Sequence, residues 1–191
     1  MSDSGSHTPP PFGEALTVGW NAVKPQMVPA AIASFCAYLA NMIAMGTPGF
    51  FLIAKKLLRG EKPEPADGFI GFSKFADYFI MGLLASSGVI ACFVGMFITI
   101  PLFLPGFYFI MEHNMTWSQA KDKCMELVKP HLMSWAIFQF VVLFVGGLGS
   151  IACFVGVFVT MPVGFCACYY AYEKAFKELA PAAEAPAVQP V

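Results

Sequence analysis

The chain has 191 residues, of which 58% are hydrophobic and only 12% charged, with 20 Phe and a formal net charge of −1. Soluble domains carry about 25% charged residues, so a water-surrounded globule fits poorly, and the near-zero balance excludes a basic nucleic-acid-binding domain. So apolar a chain is not disordered over most of its length either.

Residues 1–11 are small, polar and Pro-rich without a basic n-region, and read as a disordered tail rather than a cleavable signal. From Glu14 to Lys24 the pattern is amphipathic, with Ala15, Val18, Ala22 and Val23 on one face and Trp20 near an interface. Residues 25–54 hold no charge over 30 positions and contain a break at Gly46-Thr47-Pro48-Gly49, where Pro48 denies its N–H to a helix. Lys55, Lys56, Arg59, Lys62 and Lys74 then crowd one connection. A second uncharged stretch, 78–111, is 34 residues long, with a plausible turn at Ala85-Ser86-Ser87-Gly88 and hinge positions at Pro101, Pro105 and Gly106. Thr116-Trp117-Ser118-Gln119 has the form of a capping box. It opens a helix with Ala120, Cys124, Leu127 and Val128 on one face and Lys121, Asp122, Lys123 and Glu126 largely on the other. The third uncharged stretch, 130–172, covers 43 residues, with a turn signal at Gly146-Gly147-Leu148-Gly149-Ser150 and a helix-bending Pro162. Residues 179–191 are an Ala/Pro-rich disordered tail.

An uncharged run of 18 or more residues is the transmembrane signal, and one pass needs roughly 20 residues. The third stretch fits two passes. The first two, taken alone, allow one crossing, two, or a re-entrant segment. Sidedness favours two, because Lys and Arg gather in cytoplasmic loops, and only hairpins keep every charged zone on that side. The expected fold is therefore an all-α polytopic membrane bundle of about six helices in hairpins, with interfacial amphipathic helices and both termini cytoplasmic.

Internal repetition supports that layout. Residues 90–101 recur as 151–162 with nine of twelve positions identical, and the same offset pairs Tyr108 with Tyr169 and Glu112 with Glu173. Glu14-Ala15 and Val23-Lys24-Pro25 echo Gln119-Ala120 and Val128-Lys129-Pro130, and Pro48-Gly49-Phe50-Phe51 echoes Pro105-Gly106-Phe107-Tyr108. The repeat units are about 12–58, 67–112 and 116–177 within a membrane domain of 12–178.

Candidate chemistry is sparse. Cys36, Cys92, Cys124, Cys153, Cys166 and Cys168 form no Cys-x-x-Cys pair and suit helix packing better than metal or redox work. Glu112, His113 and His131 could converge on a cation, though interfacial solvation explains them more simply. Glu112 and Glu173 read as a paired acidic gate or, favoured, as solvated boundary residues. No ionisable residue lies inside the uncharged stretches, which argues against proton-coupled transport. Asn41, Thr99, Gln139 and Thr160 suit bonds between helices or to their own backbone. No nucleophile–base spacing marks an enzyme, and no cofactor or metal is implied.

Glu14-Ala15-Leu16 with Gly19-Trp20, Leu58-Arg59-Gly60-Glu61-Lys62-Pro63, Phe69-Ile70-Gly71-Phe72, Pro105-Gly106-Phe107-Tyr108, and Ala120 with the helix into the third hairpin together span most of 12–178. On these the chain resembles a broad group of uncharacterised bacterial integral membrane proteins of about six spans. Their domain also occurs as the membrane anchor of some glycerophosphodiester phosphodiesterases. The resemblance implies a bacterial inner-membrane location and transfers no catalytic residue. The expected function is a non-enzymatic scaffold, accessory or membrane-organising component, partnered by lipid and by copies of itself or other membrane proteins. The alternative is a small transporter or channel for an apolar or lipid-like solute.

Overall fold

The computed structural model describes residues 7–41, 46–90, 95–151 and 154–176. Among them the structure is all-helical: α1 (Phe12–Val23), α2 (Met27–Asn41), α3 (Gly46–Leu58), α4 (Phe75–Ile90), α5 (Met96–Glu112), α6 (Trp117–Lys123), α7 (Leu132–Ile151) and α8 (Phe154–Phe176). Tighter 3-10 turns cover Lys24–Gln26, Pro65–Phe72 and Lys129–His131, and a wider π turn covers Cys124–Val128.

α2 pairs with α3, α4 with α5, and α7 with α8. Each pair is an antiparallel hairpin. Thr99 Oγ1 donates to Ala85 O at 2.8 Å across α4–α5, while near the open end of α7–α8 Trp135 stacks on Phe176 with centroids 5.7 Å apart. Between α2 and α3 the backbones meet at Gly46, where a Cβ would lie 2.0 Å from Ala37 O.

The first and last thirds of the chain repeat one plan at an offset of 105 residues: helix, Lys-Pro 3-10 turn, helix. Phe12 corresponds to Trp117, Lys24 to Lys129 and Met27 to Leu132. Buried positions follow the same register, Ala15, Gly19 and Val23 answering Ala120, Cys124 and Val128. The middle third differs in that a 3-10 run, Pro65–Phe72, replaces the leading α-helix. Each leading segment packs on a neighbouring hairpin rather than on its own. α1 lies on α8, Pro65–Phe72 lies between α2 and α3, and α6 lies against α5 and α4. The arrangement closes into a ring of three.

Close backbone approach is what makes the ring possible. A Cβ on Gly19 would sit 2.6 Å from Val163 O, one on Gly68 2.5 Å from Ala37 N, and one on Gly49 2.4 Å from Gly68 O. The inner helices α3, α5 and α8 then fill the middle with aromatic rings. Phe51 lies within 6.5 Å of Phe107 and 6.0 Å of Tyr172, and Tyr108 lies 5.4 Å edge-on to Tyr169.

The outer helices are built in the reverse sense to a soluble amphipathic helix. α2 buries only Ala30, Ala33, Ser34, Ala37 and Ala40, and turns Val28, Ile32, Phe35 and Leu39 outward. α7 turns Met133, Ile137, Phe140 and Phe144 outward, each 105 residues after its counterpart in α2.

Several sequence expectations need correction. Ala85-Ser86-Ser87-Gly88 is not a turn, because α4 runs through to Ile90 and Ser87 Oγ bonds back to Leu84 O within the helix. The Gly-rich 146–150 is likewise helical within α7, which ends at Ile151. The described parts of α4 and α7 end at Ile90 and Ile151, the same repeat position, and residues 91–94 and 152–153 lie outside the described residues. Within the expected N-terminal tail, residues 7–11 lie against the bundle: Trp135 Nε1 donates to His7 O at 3.0 Å, and His7 Nδ1 lies 3.0 Å from Ala175 O. Pro48 and Gly49 sit in the first turn of α3 rather than in a loop, and Pro101 and Pro105 lie inside α5 and Pro162 inside α8, all five buried. Residues 1–6 and 179–191 of the expected tails, Cys92 and Cys153 fall outside the described residues. Among the described residues no single helix is long and apolar enough to cross a membrane. Pro65–Phe72 and Phe75–Ser87, bent by 86°, meet that test only as a pair.

Candidate functional site at the base of the bundle

The charged connections converge where α3, α5 and α8 end. Aligning Pro48-Gly49 with Pro105-Gly106, and Tyr108 with Tyr169, puts Phe51, Tyr108 and Tyr169 at one repeat position, and Lys55, Glu112 and Glu173 one helical turn further on. The structure brings two of the last three together. Lys55 Nζ lies 2.6 Å from Glu112 Oε1, with both side chains mostly buried. Tyr169 stands beside the pair, edge-on to Tyr108 with ring centroids 5.4 Å apart. Glu173, by contrast, is exposed. Glu112 and Glu173 thus do not form the alternative acidic gate, and of the favoured solvated-boundary reading Glu173, exposed, fits while Glu112, mostly buried against Lys55, does not.

His113 caps α5 beside this pair. Its ring lies 5.8 Å from Tyr108 and 6.2 Å from Phe109, and both ring nitrogens are buried without a hydrogen-bond partner. Burial lowers its pKa below the ordinary histidine value, partly offset by the Glu112 charge. A neutral imidazole is the form this setting holds. Among the described residues no group of three or more His, Cys, Asp or Glu is placed to hold a metal ion, so Glu112, His113 and His131 do not converge.

Other polar contacts tie the ring closed around this centre. Lys56 pairs with Asp67 at 2.8 Å, and Asp67 Oδ2 accepts from Glu64 N at 2.7 Å, which pins Pro65–Phe72 to α3. Lys174 and the Tyr170 hydroxyl both reach Glu14, at 2.8 and 2.6 Å, fastening α1 to α8. Lys174, then Tyr170, hold the exposed Glu14 carboxyl below the usual carboxylate range. Asp77 Oδ1 accepts from Trp117 N at 2.9 Å, joining α6 to α4. Gln26 donates to Gly60 O at 3.2 Å, and Lys74 donates to Asn114, linking the two ends of the first and second hairpins.

Two of the remaining candidates, Gln139 and Thr99, have structural partners. Gln139 accepts from Cys168 at 3.6 Å and Tyr172 at 3.5 Å between α7 and α8, and Thr99 bonds both Ala85 O and Gly95 O. Cys36, Cys124, Cys166 and Cys168 are free thiols, and burial pushes the Cys124 thiol far above its ordinary range, which keeps it protonated and unreactive. Sequence reasoning paired Tyr108 with Tyr169 and placed Lys55 in a charged connection, but did not carry the Pro-Gly alignment one turn further to set Lys55 against Glu112. The Pro-Gly-Phe-Phe echo was the signal that could have found that pair. No protein family, characterised protein or solved structure matches this chain.

Proposed function

We propose that this chain is a bacterial inner-membrane protein whose three hairpins sit in lipid, and that it serves as a non-catalytic structural or accessory component there. One observation carries the reading. α2 and α7 present large apolar side chains outward in matching stripes, with Val28 70% and Met133 75% exposed, while the fully buried positions of α2 are all Ala or Ser. In water, isolated exposed apolar residues are ordinary but contiguous stripes are not. In lipid the pattern is the expected one, because small residues let helices approach while large ones face acyl chains.

The sequence supports the same placement. Hairpins put the base, with its Lys-rich connections, on the cytoplasmic side. Exposed Phe12, Trp20, Phe69 and Phe72 on the leading segments suit the headgroup boundary. The resemblance to six-span bacterial membrane proteins points the same way. The interior supports a non-catalytic role, since its polar groups are few and Thr99, Gln139 and Lys55–Glu112 are engaged in contacts between helices, Ser34 and His113 standing apart.

The runner-up, a small transporter or channel, draws on the Lys55–Glu112 pair, a charged contact where the inner helices end. Reconstitution separates the two. Proteoliposomes of the full chain are expected to carry all protein with lipid on flotation and to hold proton and potassium gradients as tightly as protein-free vesicles. Rapid collapse of either gradient would favour the channel reading.

A further inference from the structure

We infer that the bundle thins the bilayer on one side, collecting short-chain phospholipids against its first hairpin. The inference rests on the membrane reading above and adds to it a direction and a lipid class.

The three hairpins are unequal. In their described residues α2 and α3 have 15 and 13 positions, α4 and α5 have 16 and 17, and α7 and α8 have 20 and 23. The uncharged stretches rank in the same order, at 30, 34 and 43 residues. At 1.5 Å per residue, α2 rises about 22 Å and α7 about 30 Å, against a hydrocarbon layer of about 30 Å.

Two features stop the short hairpin from sliding to a better depth. The hairpins share a base, where Lys55–Glu112 joins the first to the second and Lys56–Asp67 fixes the first to the segment leading the second. The first hairpin is also locked from within. Gly68 sits against the Ala37 backbone and Gly49 against Gly68, leaving no room to shift by a turn. The difference in length must therefore appear at the far end.

The outer face of α2 nonetheless needs hydrocarbon. Val28, Ile32, Phe35 and Leu39 run along it and are half or more exposed, or close to it. An apolar segment shorter than the bilayer is met by thinning the bilayer around it. Beside α7, whose 20 residues rise about 30 Å, less thinning is needed. The lipid that best fits the α2 side has shorter acyl chains than its surroundings.

The test is cryo-electron microscopy of the full-length protein in nanodiscs of dioleoyl phosphatidylcholine. The distance between headgroup layers is expected to be smaller beside α2–α3 than beside α7–α8, by on the order of 5–10 Å. Uniform thickness, or thinning centred on α7–α8, would overturn the inference and leave the membrane reading standing. Protein that fails to enter the disc would overturn the membrane reading and this inference with it.

Discussion

Gly68 shows how much one missing side chain decides here. Its Cα lies so close to α2 that any Cβ meets backbone atoms, which cannot move aside as a flexible side chain can. Gly68→Val is expected to cost about 1–3 kcal/mol or more, typical of overpacking, read as a lowered midpoint in thermal unfolding in detergent. Gly13, with open space around its Cβ position, is the contrast. Gly13→Ala is expected to be neutral or to stabilise by up to about 1 kcal/mol, the helix-propensity gain. At the base, Lys55→Met strands a mostly buried carboxylate and is expected to cost about 1–3 kcal/mol. Lys174→Met, at the exposed Glu14 contact, is expected to leave the midpoint unchanged. His113 adds a pH dependence. Its folded pKa lies below its unfolded one, so the unfolded chain binds more protons and stability falls with acidification. The contribution is complete above about pH 6.5, the unfolded value, and is lost progressively below it. Comparing midpoints at pH 7.5 and 5.5, His113→Gln is expected to show a smaller drop than the wild type.

Among the elements, α6 was the most legible. Thr116 N donates to Gln119 Oε1 at 3.0 Å in the reciprocal box its spacing implies, and Ala120, Cys124 and Val128 are buried as their helical register requires. Thr116→Ala is expected to cost about 1 kcal/mol, the usual value of an N-cap, measurable in the same unfolding assay. The hairpins were legible for a similar reason: long uncharged stretches separated by charged zones fold back on themselves. Their tips were not. Glycine and serine strings look like turns in isolation, yet α4 and α7 run through them, because in a packed apolar bundle a small residue marks close approach as readily as a bend. Register in α1 was misjudged by the same logic, Gly19 rather than Val18 being central to its buried face. Pro65–Phe72 carries no clear helical period, and what holds it is a contact with Lys56 that sequence spacing alone does not announce. The hold of Trp135 on the His7 carbonyl joins residues 128 apart and has no local signature at all.

At the scale of the molecule, the chain is a three-part repeat that closes by exchange, each leading segment serving another unit's hairpin. Closure explains why α1 docks on α8, joining the beginning of the chain to its end, and why charged contacts concentrate at one end. It also leaves the outward stripes of α2 and α7 largely uncovered among the described residues, Phe35 meeting Phe158 edge-on and Phe140 lying tilted against Phe97, and their shared register makes accident a poor explanation. The sharpest check is a pair of nitroxide labels at Phe35 and Phe140 in the reconstituted protein, with a third at the exposed Glu126 on the leading segment of the last unit. Collision with oxygen, which concentrates in hydrocarbon, is expected to exceed collision with a water-soluble nickel chelate at both apolar positions and to fall below it at Glu126. Higher nickel accessibility at Phe35 and Phe140, or a chain that stays monodisperse in buffer with no amphiphile, would contradict the placement of these faces in lipid.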